Sequence, residues 1–198
     1  MIDSSADLRA GLRIRLLTDA DAPALAEAYT RNREHLAPWE PERTDAFFTS
    51  GHQLDSIRAK LAQHALGAEV PWVLVKEEDD GGTVLTDRPG GRVAGTVTLT
   101  GIVRGPFLSA NLGYWLDHEL TGQGIGTAAV LHAVNYSRTA LGLHRIQAAT
   151  LLHNTASRRI LQRTGFREIG VAQQYLKIAG RWQDHLLHQL ILPHPEFR

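Results

Sequence analysis

The chain has 198 residues, 43% of them apolar and 21% charged, a composition typical of a globular protein with a complete core. It contains no cysteine, which excludes disulfides, thiolate metal sites and a thiol nucleophile. There is no apolar run of about 18 residues that would span a membrane, and the N-terminus lacks the apolar core of a secretory signal. We therefore expect a single cytoplasmic domain over residues 1–198.

Charge is unevenly placed along a chain whose formal net charge is zero. Residues 121–167 contain no Asp or Glu, yet they carry six arginines and three histidines. A neutral protein with one basic segment is not typical of nucleic-acid-binding proteins, so we expect no direct nucleic-acid binding. A local anionic ligand explains the pattern, as do solvated helix faces, and charge alone does not distinguish the two.

The first predicted elements are a strand and a helix. Residues 11–17 alternate polar and apolar side chains, which indicates a strand. Thr18, with Asp21 three residues later, is typical of the start of a helix, and this helix is predicted to run to about Glu34. Two prolines within residues 35–41 exclude regular helix there and indicate a loop.

A second helix and two strands follow this loop. The helix is predicted over about residues 51–66, and β-branched residues predict strands over 70–76 and 93–100. The segment between these strands, residues 77–91, opens with four acids and carries two glycine pairs and a proline. These residues indicate an exposed hairpin loop.

The second half of the chain alternates strands with two helices and ends in a pair of strands. In order, the predicted elements are a strand over 112–116, a helix to about 141, a strand over 145–151, a short helix ending at Gly165, and strands over 166–174 and 184–192. This order favours one α+β domain with helices packed on a sheet.

Three alternating glycines, Gly122, Gly124 and Gly126, separate a predicted strand from a predicted helix. Glycine lets the backbone approach a ligand closely, and the free N–H groups of a helix start attract an anion such as a pyrophosphate. The turn lacks the Gly-Lys-Ser/Thr of a P-loop, and no acid follows in residues 135–150 as a dinucleotide-binding turn requires. By itself such a turn is also common in plain structure.

The glycine turn resembles the acyl-CoA pyrophosphate loop of the GNAT acetyltransferase superfamily, which reads Arg/Gln-x-x-Gly-x-Gly/Ala. Gly124 and Gly126 match the two small positions, whereas Thr121 stands in place of the Arg or Gln. Residues 154–157 resemble the family's Asn-x-x-Ser segment, and residues 161–166 resemble its Gly-Phe end.

Two further segments, residues 35–39 and 175–184, are similar to the RimJ/RimL branch, whose members acetylate the N-termini of ribosomal proteins. The resemblance extends over about residues 11–192. It implies a GNAT fold, with a central mixed, mostly antiparallel sheet of about seven strands and helices on both faces. It also implies acetyl-CoA or another acyl-CoA as co-substrate, and homodimers are common in such folds.

The resemblance assigns a role to each matching position. The cofactor would be held by Trp115, Leu116, Asp117, Gln123, Gly124, Ile125, Gly126, Thr127 and Asn154. Arg158, Arg159 and Arg163 are candidates for contact with the 3′-phosphate of CoA. The acyl group would pass to a primary amine by direct attack in a ternary complex, and the scattered histidines predict no metal site.

The remaining site residues concern proton transfer and the acceptor. Ser157 resembles the family's serine that protonates the departing thiolate, and Glu40, in the proline-containing loop, is the candidate base. The acceptor is expected between that loop and the last hairpin, against Trp39, Tyr175 and Asp184. A non-catalytic module that binds acyl-CoA is the alternative, because Thr121 departs from the motif and the base is not marked by any motif. The acceptor and the acyl group stay open.

Overall fold

The computed structural model describes residues 4–76 and 91–193, so all but the last residue of the predicted loop 77–91 lies outside it. Its strands form one eight-stranded sheet in the order β1-β2-β3-β4-β5-β6-β8-β7. The strands are β1 (Ala6–Asp7), β2 (Leu12–Leu16), β3 (Val70–Lys76), β4 (Arg92–Val103), β5 (Ser109–Leu116), β6 (Arg145–Leu151), β7 (Arg167–Ile178) and β8 (Arg181–Ile191). The helices are α1 (Ala22–Arg31), α2 (Arg33–Leu36), α3 (Ser50–Ala65), α4 (Ile125–Thr139) and α5 (Thr155–Arg163).

The predicted α+β architecture is confirmed, with one strand more than the seven expected. The additional strand, β1, has two residues, which is too short for a period to show in the sequence. The strands of the last hairpin are longer than predicted and continue to the turn. That turn has only two residues, Ala179 and Gly180, which both have positive φ. No helix in the described part of the chain is long and apolar enough to cross a membrane.

The helix predicted to end near Glu34 is interrupted at Asn32, which is fully buried. The Nδ2 group of Asn32 donates to the carbonyl of Ala28 at 2.9 Å, and its Oδ1 accepts from the backbone N–H of His118 at 2.9 Å. The side chain therefore joins the end of α1 to the residues that follow β5. This bond holds the helix end and the strand end in fixed positions.

The sheet separates two apolar cores, and β3 contributes to both. Trp72 and Leu74 pack in the core that contains α4 and α5, whereas Val73 and Val75 pack in the core that contains α1 and α3. Successive strand residues point to opposite faces, so a strand covered on both sides needs a continuous apolar run. Helices thus lie on both faces, as predicted.

A gap opens between β5 and β6, the one parallel pair of neighbouring strands among the described residues. Their pairing ends at Asn111 opposite Gln147. Beyond that point β5 continues beside β4 to Leu116, and β6 continues beside β8 to Leu151. We call the space between residues 112–116 and 148–151 the strand gap.

Candidate active site

The glycine turn leads directly into α4. Gly124 is the N-cap residue and has φ of +79°, a left-handed conformation that favours glycine. Gly126 has a different reason to be glycine: a Cβ there would lie 2.8 Å from Ile160 Cδ1 and 2.9 Å from Leu116 Cδ1. The absence of that carbon brings the start of α4 close against β5 and α5.

The first backbone N–H groups of α4, those of Ile125, Gly126 and Thr127, precede the first intrahelical donor, the N–H of Ala128. They are available to an anion at the helix start, where the helix dipole also favours negative charge. The predicted Gln123 side chain is held locally, because its Nε2 donates to the carbonyl of Glu119 at 3.1 Å.

Sequence reasoning missed an arginine beside this turn. Arg9 Nη1 lies 3.8 Å from the position that a Cβ on Gly124 would occupy. Arg9 lies in a short 3-10 helix, Arg9–Gly11, ahead of β2. Because the two residues are more than a hundred positions apart, no local motif could have connected them.

The backbone of β5 faces the strand gap at Leu116. The N–H of Asp117 donates to the carbonyl of Ala94 at 2.8 Å, and the carbonyl of Trp115 also points towards β4. Because backbone groups alternate sides along a strand, those of Leu116 point the other way, into the gap. Of the three residues predicted to pair with the cofactor, Leu116 turns its backbone groups into the gap, whereas those of Trp115 and Asp117 face β4, and the pairing itself stays a prediction.

The carboxylate of Asp117 is fully buried and holds the end of β5 to α1 and β4. Arg31 Nε lies 2.9 Å from Asp117 Oδ2, and Arg92 Nη2 lies 3.3 Å from the same oxygen. Burial raises the pKa of Asp117, but hydrogen bonds from Arg31 and the N–H of Glu119 outweigh it and hold the pKa below its ordinary value. The side chain is therefore structural.

We predict that Asp117→Asn lowers the free energy of unfolding by about 2–4 kcal/mol, because it leaves the charge of Arg31 without its partner. Chemical denaturation at pH 7 measures this loss. Since the folded-state pKa is lowered, the stabilisation is present above about pH 4 and is lost as the pH falls through the folded value. The difference in unfolding free energy between the wild-type protein and Asp117→Asn should therefore become smaller as the pH falls below about 4. Glu119→Gln, at the exposed partner of Arg92, should change stability by less than about 1 kcal/mol and is the control.

Ser157 lies in the first turn of α5, and its hydroxyl contacts β5. Its backbone N–H donates to Asn154 Oδ1 at 3.0 Å, so Asn154 is the N-cap of the helix. The Asn154 oxygen accepts this bond, and its Nδ2 donates to none of the described residues. Ser157 Oγ lies 2.8 Å from Tyr114 Oη, a contact between residues 43 positions apart that the sequence does not indicate.

Glu40 lies in a cavity of about 660 Å³ on the face of the sheet that carries α1 and α3. We call it the α1 cavity. Among its lining residues are Tyr29, Leu36, Glu40, Glu42, Arg43 and Phe47. Burial raises the pKa of Glu40 above its ordinary value, although Arg43 opposes that effect from 3.5 Å. A carboxylate of raised pKa is a suitable base near neutral pH.

The α1 cavity and the Tyr114–Ser157 pair lie on opposite faces of one strand. Tyr29, in the cavity wall, accepts a hydrogen bond from Trp115 Nε1 at 3.0 Å, and Trp115 follows Tyr114 directly in β5. Successive strand residues point to opposite faces, so the two features approach the end of β5 from its two sides. The strand gap lies at the same end.

The other residues predicted for the acceptor lie outside the residues that line the α1 cavity. Trp39 stacks on His153, with ring centroids 5.3 Å apart, next to the start of α5. Tyr175 packs on His185 instead, and Asp184 Oδ1 accepts the N–H of Gln174 at a bulge in β7. The hairpin reaches the cavity through Ala179, whose N–H donates to the carbonyl of Glu40 at 3.0 Å.

The three arginines proposed to contact the 3′-phosphate of CoA have different surroundings. Arg158 is bound to Glu168 at 3.1 Å and to the carbonyl of Leu152 at 3.2 Å. Arg158 and Arg159, but not Arg163, line a second cavity of about 570 Å³ beside α5. No group of three or more acidic, histidine or cysteine side chains that would hold a metal is found among residues 4–76 and 91–193.

Comparison with known proteins identifies the family. The acetyltransferase (GNAT) domain matches residues 11–167, which is most of the chain. The chain belongs to the GNAT acetyltransferase family. It is an acetyl-CoA-dependent N-acetyltransferase, as the resemblance of its glycine turn predicted. The free N–H groups at the start of α4 are those that the resemblance predicted for the pyrophosphate, and that role stays a prediction.

Two relatives are similar over nearly their whole lengths. The [ribosomal protein uS5]-alanine N-acetyltransferase of Escherichia coli (strain K12) is 33% identical, over 92% of this chain and 88% of the relative. The crystal structure of ribosomal-protein-S5-alanine acetyltransferase from Vibrio fischeri has a TM-score of 0.85 at 34% identity, over 94% of this chain and 96% of that one.

A third comparison includes a bound molecule. Mycobacterium smegmatis RimJ in complex with CoA-disulfide has a TM-score of 0.80 at 32% identity, over 91% of this chain and 81% of that one. The N-acetyltransferase is thus similar to members of the RimJ/RimL branch, as the sequence predicted.

Proposed function

We propose that this N-acetyltransferase acetylates the α-amine at the N-terminus of a protein, and that it does so as a single cytoplasmic domain. The proposal rests on the α1 cavity, which lies at the end of β5 on the face of the sheet opposite the Tyr114–Ser157 pair. The similarity to enzymes named for acetylating an alanine of a ribosomal protein supports a protein acceptor. A homodimer and the absence of nucleic-acid binding stay predictions.

The chemistry of the cavity suits an N-terminal ammonium. Two acids, two arginines and apolar side chains are among its lining residues: Glu40, Glu42, Arg33, Arg43, Leu36 and Phe47. A volume of about 660 Å³ accommodates the first residues of a peptide, since ligand cavities usually span about 300–1,000 Å³. We assign the ammonium group to the carboxylate of Glu40, which is more buried than that of Glu42, and the side chains that follow to the apolar walls.

An α-amine also loses its proton more easily than a lysine side chain does, so a weaker base is sufficient. It titrates at about 7.7–8.0, compared with about 10.4 for lysine. Removing its proton at pH 7 therefore costs about 1.4 kcal/mol, against about 4.6 kcal/mol for lysine. Glu40, with its raised pKa, takes that proton, directly or through water. The nitrogen attacks the thioester, the Leu116 N–H stabilises the oxyanion, and Ser157 donates to the departing sulfur.

An acceptor panel tests the proposal. Initial rates with acetyl-CoA are measured for an alanine-initiated peptide and for the same sequence with a blocked N-terminus and an internal lysine. We expect transfer to the free α-amine at a kcat/KM at least about 100-fold higher, and mass spectrometry should place the acetyl group on the first residue. Faster transfer to lysine or to small polyamines would reject the proposed acceptor.

Replacing Glu40 with Gln tests the base separately. We predict a 10- to 100-fold lower kcat/KM for the peptide, in the range expected of a positioned base. The loss should be largest below pH 7, where the amine is mostly protonated, and should shrink towards pH 9, where much of it is already free. The dissociation constant of CoA, measured by calorimetry, should not change, because Glu40 lies on the other face of the sheet.

Glu42→Gln is the matched control, because Glu42 lines the same cavity and is exposed. It removes an equal charge and should stay within about threefold of wild type. An equal loss of kcat/KM in both variants would mean that the effect comes from removing a negative charge from the cavity, and not from removing a base. A Glu40→Gln enzyme with the wild-type pH profile would exclude Glu40 as the base.

A further inference from the structure

Tyr114 lies close to the proposed site of reaction, but none of the proposed catalytic roles involves its side chain. It lies in β5 beside the strand gap, half-buried against the core that contains α4 and α5. Its hydroxyl lies 2.8 Å from Ser157 Oγ and 3.3 Å from the carbonyl oxygen of Ser157. A polar group placed there, among apolar side chains such as Leu116 and Ile160, needs a partner, and Ser157 is that partner.

Either oxygen can donate in the 2.8 Å contact between Tyr114 and Ser157, and the direction is inferred from acidity: a phenol, which titrates at about 10, is a stronger hydrogen-bond donor than an aliphatic hydroxyl. Hydrogen bonds between hydroxyl oxygens have a usual length of about 2.7–2.8 Å, and those beyond about 3.0 Å are weak. Ser157 Oγ, at 2.8 Å, is thus the closer of the two acceptors within reach of Tyr114, and we assign the phenol hydrogen to it rather than to the carbonyl at 3.3 Å. When Tyr114 donates to Oγ, the hydrogen of the serine hydroxyl is released to point elsewhere.

We propose that Tyr114 is a positioning residue that donates its hydroxyl hydrogen to Ser157 and thereby turns the serine hydrogen towards the sulfur that leaves in the strand gap. The inference rests on the proposed role of Ser157. A hydroxyl that accepts one hydrogen bond becomes a better donor of the next, so the pair stabilises the thiolate more than Ser157 alone.

Tyr114 keeps its own proton while it does this. Burial raises the pKa of Tyr114 to about 12, and the bond with Ser157 opposes that effect only in part. A thiol titrates at about 8.5, well below the phenol. The phenol therefore remains a donor throughout the working pH range and does not pass its proton on to the sulfur. Its contribution is the direction and strength of the serine's hydrogen bond.

A double-mutant cycle tests the inference. Tyr114→Phe keeps the ring and removes only the hydroxyl, so kcat should fall about 10-fold while KM for acetyl-CoA stays within about twofold. Ser157→Ala should lower kcat about 100-fold. The double variant should match Ser157→Ala, because the tyrosine acts through the serine. Tyr136→Phe removes a phenol from the same core and should behave as wild type.

The pKa of the thiol of bound CoA gives a reading that a purely structural role would not change. The ultraviolet absorbance of the thiolate, followed as a function of pH in the saturated complex, should show a lowered thiol pKa in the wild-type enzyme. Both Tyr114→Phe and Ser157→Ala should raise it.

The possible failures can be told apart. Wild-type kcat in Tyr114→Phe overturns the inference and leaves the proposed role of Ser157 intact. A further 10-fold loss when Tyr114→Phe is added to Ser157→Ala also overturns it, because the tyrosine would then act on its own. Wild-type kcat in Ser157→Ala removes the proposed role of Ser157, and the inference about Tyr114 with it.

Discussion

Gly124→Asp should weaken the binding of CoA by about 100-fold or more, measured by calorimetry. Gly124 is the N-cap of α4, so the new carboxylate would lie where the pyrophosphate meets the free N–H groups of the helix. Two like charges about 4 Å apart repel by about 4 kcal/mol at an effective dielectric constant of about 20. The fold should survive, because a Cβ at this position finds no heavy atom closer than Arg9 Nη1 at 3.8 Å.

Gly124→Asn separates charge from shape. Asparagine has nearly the size of aspartate and, like it, tolerates the left-handed backbone that Gly124 adopts with φ of +79°. We expect the Asn variant to lose less than about 10-fold in CoA affinity and to unfold at a temperature close to that of the Asp variant. Equal losses of CoA affinity in the two variants would mean that charge repulsion at this turn does not weaken the binding of CoA.

Ser157→Ala should lower kcat by about 100-fold, with KM for acetyl-CoA nearly unchanged. The hydroxyl acts on the departing thiolate, so its contribution is made mainly in the transition state. Steady-state release of the CoA thiol measures the effect. Alanine suits the first turn of α5, and the bond from the backbone N–H of residue 157 to Asn154 Oδ1 does not involve the side chain, so the fold should be kept.

Thr155→Ala is the matched control for this variant. Thr155 also lies in the first turn of α5 and also carries a hydroxyl, but it is exposed and lines the second cavity. Its removal should leave kcat within about twofold of wild type. If Ser157→Ala retained the wild-type kcat, Ser157 would be an ordinary residue of the helix start, with no part in the departure of the thiolate.

Local patterns in the sequence predicted most of the fold. The β-branched residues of β3 predicted a strand, and residues 70–76 coincide with it. The glycine turn predicted the start of α4, because positive φ and close packing at Gly124 and Gly126 restrict which residues fit. The helix that contains α1 was predicted to continue past Asn32. It is interrupted there because Asn32 accepts a bond from the His118 N–H, a tertiary contact that leaves no local pattern in the sequence.

The candidate site was predictable only in part, for the same physical reason. Ser157 and Asn154 lie within one helical turn, and a short motif reveals them. Tyr114 meets Ser157 across 43 positions, and Tyr29 meets Trp115 across 86, so neither contact leaves a local signal. Tyr175 was predicted as a wall of the acceptor site, which stays a prediction; its contact with His185 depends on a register change after Ala172 that no local pattern indicates.

In the proposed reaction, CoA and a peptide meet at the end of β5 from opposite faces of the sheet. A bisubstrate analogue tests it directly: CoA whose sulfur is joined through an acetyl linker to the α-amine of an alanine-initiated peptide. Calorimetry compares its dissociation constant with that of CoA carrying the same linker without the peptide. We predict that the bisubstrate binds at least about 100-fold more tightly, because both parts are held at once. Equal affinities for the two compounds would contradict the claim.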